Sequence, residues 1–103
     1  MARREFETLT PQMFYILLVL RQPMHGYDIM QEVSRITNNE IQIGAGTLYT
    51  LLPRFETEGY IKLIQEENKR KIYQLTALGE KKLLLEKEKM LKQIQLLDYM
   101  FNQ

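Results

Sequence analysis

All five glycines and all three prolines of this chain lie at or before Gly79, and the residues from there to Gln103 run without another. Glycine and proline are the strongest local punctuation a chain has, so their positions cut the sequence into segments. Thr10-Pro11 reads as a helix start, a capping hydroxyl followed by a ring with φ already fixed. From Met13 to Leu20 the chain is almost wholly apolar, so this first helix should be buried on most sides. Pro23 and Gly26 in "RQPMHG" break it. A second helix is expected from about Tyr27 to Ile36, with Ile29, Val33 and Ile36 as its inner stripe. Asp28 lies near its positive N-terminal end. Asn38-Asn39 is a turn signal, and "EIQI" after it alternates as a very short strand would.

The stretch "IQIGAGTLYTLLPRFETEGYI" carries the third helix. Gly44 and Gly46 loosen the backbone, and Thr47 is placed as its cap. At 100° per residue, Leu48, Leu51, Leu52 and Phe55 share one arc about 100° wide. Thr47, Thr50, Arg54 and Thr57 share an arc of about 80° on the opposite side. Pro53 removes one backbone bond and crowds the carbonyl of Tyr49, which predicts a kink. Gly59 is placed for a C-terminal cap.

"YIKLIQ" and "RKIYQLT" are rich in β-branched and aromatic residues and read as a hairpin across "EENK". That turn lacks an Asn-Gly type signal, so a loop longer than two residues is expected. Thr76 caps a last helix that runs to about Phe101, with Lys82, Glu86 and Lys89 decorating one side and Glu88 and Lys92 in the favourable i, i+4 order.

The predicted fold is mostly α with a small β hairpin (α+β). Residues 1–76 form a winged helix-turn-helix and residues 77–103 a C-terminal dimerisation helix. Crossing the second and third helices over a shared core leaves the third helix's polar face outward, sized for a major groove about 12 Å wide. Thr47 and Thr50 are short enough for close approach to bases, Arg54 can reach guanine or phosphate, and Lys69, Arg70 and Lys71 suit the backbone beside the groove. Against this stands the net charge of only +1. A polar helix face is ordinarily just solvated, and a three-cation turn is ordinarily just surface. The alternative from another class is a winged-helix module that binds protein and never touches DNA.

In the last helix Leu83, Met90, Ile94, Leu97 and Phe101 keep a four–three spacing interrupted by Lys87, with Leu84 and Leu91 flanking it, a heptad-like seam. A small domain cannot cover seven turns, and a second copy is the expected partner of the far half.

An enzyme finds no support: there is no nucleophile–base pair or cofactor loop, and Gly44-Ala45-Gly46 lacks the third glycine of a dinucleotide fingerprint. No cofactor is called for. The chain has no cysteine and one histidine, His25, so no metal cluster can be assembled from them. His25 reads as structural. The longest apolar stretch, "MFYILLVL", is too short to span a bilayer, and "MARREFETLTPQ" has no signal-peptide core, so a cytoplasmic location is expected.

"HGYDI" at His25–Ile29, "GAGTLYTLLPRFETEGYI" at Gly44–Ile61 and "KRKIYQLTALGEKKL" at Lys69–Leu83 together resemble the PadR family of bacterial transcriptional regulators. The resemblance covers nearly the whole chain in the family's order, and its G-T-L-Y run is the most specific part. It implies a homodimeric winged-helix repressor of the short form, bound to a palindromic operator and in many members responsive to a small aromatic or drug-like, hydrophobic effector. Carried over by motif, the recognition-helix residues are Thr47, Tyr49 and Thr50, and the basic wing residues are Arg70 and Lys71. Two departures stand out. Thr50 occupies the place after G-T-L-Y where members often have proline, and the wing turn lacks the glycine pair that many carry.

Overall fold

The computed structural model describes residues 8–103; the first seven, which begin both the expected 1–76 unit and the stretch read as lacking a signal core, lie outside the described residues. The order is α1 (Pro11–Val19), β1 (Met24–His25), α2 (Gly26–Ile36), α3 (Ala45–Thr57), β2 (Ile61–Glu67), β3 (Arg70–Leu75) and α4 (Ala77–Phe101). The strands form one antiparallel sheet in the order β1-β3-β2.

Local chemistry explains most boundaries. Thr10 caps α1 by accepting from the Met13 N–H at 3.2 Å, with Pro11 in the first turn. Thr76 caps α4 by accepting from the Gly79 N–H at 3.1 Å, and its own N–H reaches the Tyr60 carbonyl at 2.9 Å. Gly59 turns the chain out of α3 at φ +82°, where the Tyr60 N–H reaches back to the Phe55 carbonyl at 2.9 Å. Gly79 allows the start of α4 to press on that turn: a Cβ there would stand 2.2 Å from the Tyr60 carbonyl oxygen.

Several expectations need correction. α3 begins at Ala45 with Gly44 as N-cap, so Thr47 lies inside the first turn and does not cap it. The extended backbone of Gly44 takes that role, and its carbonyl accepts from the Leu48 N–H at 3.0 Å. The span expected for α3 holds, with the helix running through Pro53 to Thr57. Buried side chains on both sides of the proline, Leu51, Leu52 and Phe55, hold the two halves to one core. "EIQI" is no strand: Ile43 plugs the core from a connecting loop pinned where Thr37 Oγ accepts from the Ile41 N–H at 3.1 Å. The third strand is instead Met24–His25, paired with Tyr73 and Ile72. Two residues are too few for any pattern to announce a strand. Ile36, the last residue of α2, projects past the core and is exposed, whereas Ile29 and Val33 are fully buried.

The hairpin loop has two residues, not more. Glu67 pairs with Arg70, and Asn68 and Lys69 take φ of 51° and 65°. Two-residue hairpins need this left-handed backbone, which Asn tolerates and Lys adopts at a cost of roughly 1–2 kcal/mol. A register shift between Leu63 and Gln65 makes Ile64 an extra residue, a bulge in β2.

The core joins Ile16 and Leu17 of α1, and Leu20 just after it, to Ile29 and Val33 of α2, to the inner face of α3, and to Ile61 and Tyr73 of the sheet. Leu83 is also in this core, only 8% exposed, so it belongs to the domain's own packing and not to the exposed seam. Glu86 departs further from expectation. It is no surface decoration but buried, accepting from the Leu9 N–H and from the Thr8 hydroxyl at 3.1 Å, with Lys89 Nζ at 3.4 Å. It ties the entry to α1 onto α4. Burial alone would raise its pKa; the bonds from Leu9 and Thr8, with Lys89 beside them, outweigh it and hold the carboxyl below its ordinary value.

A carboxyl lowered by folding stabilises the fold above its unfolded-state pKa, and that contribution disappears as pH falls through the folded-state value. Glu86→Gln is therefore expected to lower unfolding stability at pH 7 by about 1–2 kcal/mol. In urea titrations the gap to wild type should narrow below about pH 4.5. A gap independent of pH would show that the carboxylate charge contributes nothing.

Candidate nucleic-acid interface

Burying Leu48, Leu51, Leu52 and Phe55 fixes the rotation of α3. Thr50, Pro53, Arg54 and Thr57 are exposed and Thr47 is half-buried, so the polar face does look outward. Helical geometry puts Gly46, Thr50, Pro53 and Thr57 nearest the outward centre. Thr47 and Arg54 flank it on one side, Tyr49 and Glu56 on the other.

These flanks meet different neighbours. Thr47 and Thr50 line a shallow notch with Thr10, Gln12 and Met13 at the start of α1. Tyr49 instead lines a groove with Lys69, Arg70 and Lys71 of the hairpin and with His25, Tyr27 and Tyr73. The structure thus brings one predicted helix residue and all three predicted wing cations to a single concavity, and two more helix residues to a separate one. Arg54 lies outside both, exposed in the last turn of α3.

Tyr49 is held in place although it is 56% exposed. Its ring lies over Gly26, where an added Cβ would come within 2.3 Å of the phenolic oxygen. Glycine at the first residue of α2 is what lets the ring lie there. Tyr73 forms the buried floor. Its phenol pKa is raised, first by burial and then by the nearby carboxylates of Glu56 and Glu66 and by Tyr49. The groove is therefore mixed in charge, basic along the hairpin and acidic near its floor.

Gln12, His25, Tyr27 and Tyr73 were not marked by the sequence as site residues. His25 and Tyr27 stand in the quoted "HGYDI", but only the pairing of β1 with β3 shows that this segment meets the wing. The His25 Nε2 lies 3.2 Å from Asp28 Oδ2 and 3.4 Å from Arg70 Nη1. Among the described residues, no group of three or more His, Cys, Asp or Glu is placed to hold a metal ion, and no helix is long and apolar enough to cross a membrane.

Away from this face, every residue of α4 from Lys87 on is exposed. Met90, Ile94, Leu97 and Phe101 continue the line of buried Gly79 and Leu83 past the end of the domain, with Leu84 and Leu91 beside them, all at least 42% exposed. Leu85, Leu96 and Met100 form a second apolar stripe roughly 130° around the helix that the seam pattern did not bring out.

Comparison with known proteins agrees with this architecture. The family model "Transcriptional regulator PadR-like family" matches residues 16–85. A transcriptional regulator from Clostridium thermocellum is similar at TM-score 0.72 and 29% identity, over 84% of this chain and 88% of that one. A PadR-like transcription factor from Bacteroides fragilis gives TM-score 0.72 and 25% identity, over 84% and 86%. An uncharacterised protein of Lysinibacillus sphaericus is 40% identical over 67 residues, which are 61% of this chain and 62% of that protein. The chain spans less than two thirds of that relative, and 21% of a transposon-encoded 37.1 kDa protein of Streptomyces fradiae to which it is 29% identical. With a family match from α1 into α4 and the same winged-helix architecture, this chain belongs to the PadR-like family of transcriptional regulators.

Proposed function

We propose that the chain acts in the cytoplasm as a homodimeric repressor of a palindromic operator, released by a small hydrophobic effector. Residues 1–76 serve as the DNA-reading unit and 77–103 as the dimerising helix. Thr47, Tyr49, Thr50 and Arg54 enter the major groove while Lys69, Arg70 and Lys71 hold the adjacent backbone. The observation that carries this reading is the shared concavity of Tyr49 and the three hairpin cations, since a duplex that meets one meets the others. Cations that lie together, in two copies per dimer, count for more than a net charge of +1. An effector finds adaptable and aromatic surface in exposed Met90, Tyr99, Met100 and Phe101.

Dimerisation follows from the tail. Leu84, Met90, Leu91, Ile94, Leu97 and Phe101 together make an apolar surface that a solitary chain would leave in water. A two-fold pair joined there spaces two copies of α3 about one turn, 34 Å, apart on DNA. Sedimentation at micromolar concentration should give a dimer, and Ile94→Glu combined with Leu97→Glu a folded monomer. A wild-type monomer would contradict the assignment.

In binding titrations Thr50→Ala and Arg54→Ala are each expected to cost about 1–3 kcal/mol on the preferred sequence and little on unrelated duplex. Neutral substitutions at Lys69, Arg70 or Lys71 should weaken all duplexes alike. Each should flatten the salt dependence by about one unit of slope per protomer. Unchanged salt slopes would remove the wing from the interface. The near-neutral charge and the acidic neighbours Glu56 and Glu66 favour a second reading, a protein-binding module; failure to bind any duplex would select it.

A further inference from the structure

One nitrogen of His25 faces two neighbours that ask opposite things of it. Asp28 Oδ2, 3.2 Å from Nε2, can accept from that nitrogen only if it carries a proton. Arg70 Nη1, 3.4 Å from the same atom, can donate to it only if it carries a lone pair. A single atom cannot do both, so the proton state of His25 chooses between a carboxylate on α2 and a guanidinium on the wing. His25 is well placed to make that choice matter. It lies on β1 opposite Ile72, and its side chain lines the wing groove.

Resting on the DNA-binding reading above, we propose that His25 is a positioning residue that couples duplex binding to uptake of a proton. Without DNA, the bare Nε2 accepts from Arg70 and steadies its guanidinium beside the hairpin turn. When Arg70 turns to a backbone phosphate, Nε2 is released, takes a proton from solvent and donates it to Asp28 as an imidazolium. Nδ1 keeps its own proton throughout, so the ring gains one positive charge per protomer.

The surroundings fit this direction. Asp28 on α2 and Glu67 at the end of β2 favour the imidazolium, whereas Lys69, Arg70 and Lys71 oppose it. The other titratable neighbours are the phenols of Tyr27, Tyr49 and Tyr73. A phosphate arriving among the cations offsets their repulsion and draws the proton on. A proton taken up with the duplex makes affinity for DNA depend on pH.

The chain contains a single histidine, which makes the test clean. Histidine is the side-chain type that ordinarily changes charge between about pH 5 and 8. The full chain, without a polyhistidine tag, is titrated by fluorescence anisotropy against a duplex it selects from random sequence, from pH 5.5 to 8.0 at constant ionic strength. Affinity is expected to rise about fivefold as pH falls across that interval. His25→Gln, which can accept from Arg70 but cannot become a cation, should abolish the rise. Asp28→Asn should also abolish it, and because that carboxylate is half exposed the variant keeps the test open if the histidine variant misfolds. A merely structural histidine would lower affinity equally at every pH. A pH-independent wild type, or a variant that keeps the full response, overturns the proposal. Absence of duplex binding at every pH overturns the DNA-binding reading with it.

Discussion

Four buried side chains on α3 govern what the rest of the molecule can do. Leu48, Leu51, Leu52 and Phe55 face the core, each worth about 2 kcal/mol of apolar burial. Turning the helix on its axis would forfeit most of that, so the outward direction of Thr50, Pro53 and Thr57 is as firm as the core itself. The hydrogen bonds around Gly59, Tyr60 and Thr76 then bring the sheet and α4 into register with α3. Because β1 pairs with β3, the start of α2 is tied to the wing, and Tyr49 closes the space between them over Gly26. The groove is thus assembled by side chains packed elsewhere.

Much of this was legible in the sequence, for definite reasons. Helical stripes and threonine caps are local, and the chain states them in residues three or four apart; Thr10, Thr76 and Gly59 behave as their types predict. Hidden features depended on partners distant in sequence. Glu86 looks like any lysine-flanked surface acid until Thr8 and Leu9, 78 and 77 residues away, supply its donors. Met24–His25 becomes a strand only because Tyr73 and Ile72 lie beside it. The tight hairpin escaped because Lys69 accepts a left-handed backbone that glycine would take without strain. At the candidate site the wing cations were readable as a cluster, whereas their meeting with Tyr49 and His25 is a product of the fold.

Charge and apolar surface pull the same way. A net charge of +1 gives the chain little general attraction for DNA, so the proposed function draws its affinity from local clustering and from doubling. In the proposed dimer the tail is the means of doubling, since α4 from Lys87 on projects beyond the domain with apolar residues still in line. One set of side chains that a lone molecule would find costly in water thereby serves the weakness of the other.

The most direct measurement is selection of bound duplexes from random DNA followed by sequencing. Two copies of α3 held by a two-fold axis predict an inverted repeat with half-site centres about 10 bp apart. Enrichment of a single unrepeated half-site, or of no sequence at all, would contradict a paired reading surface and with it the central claim.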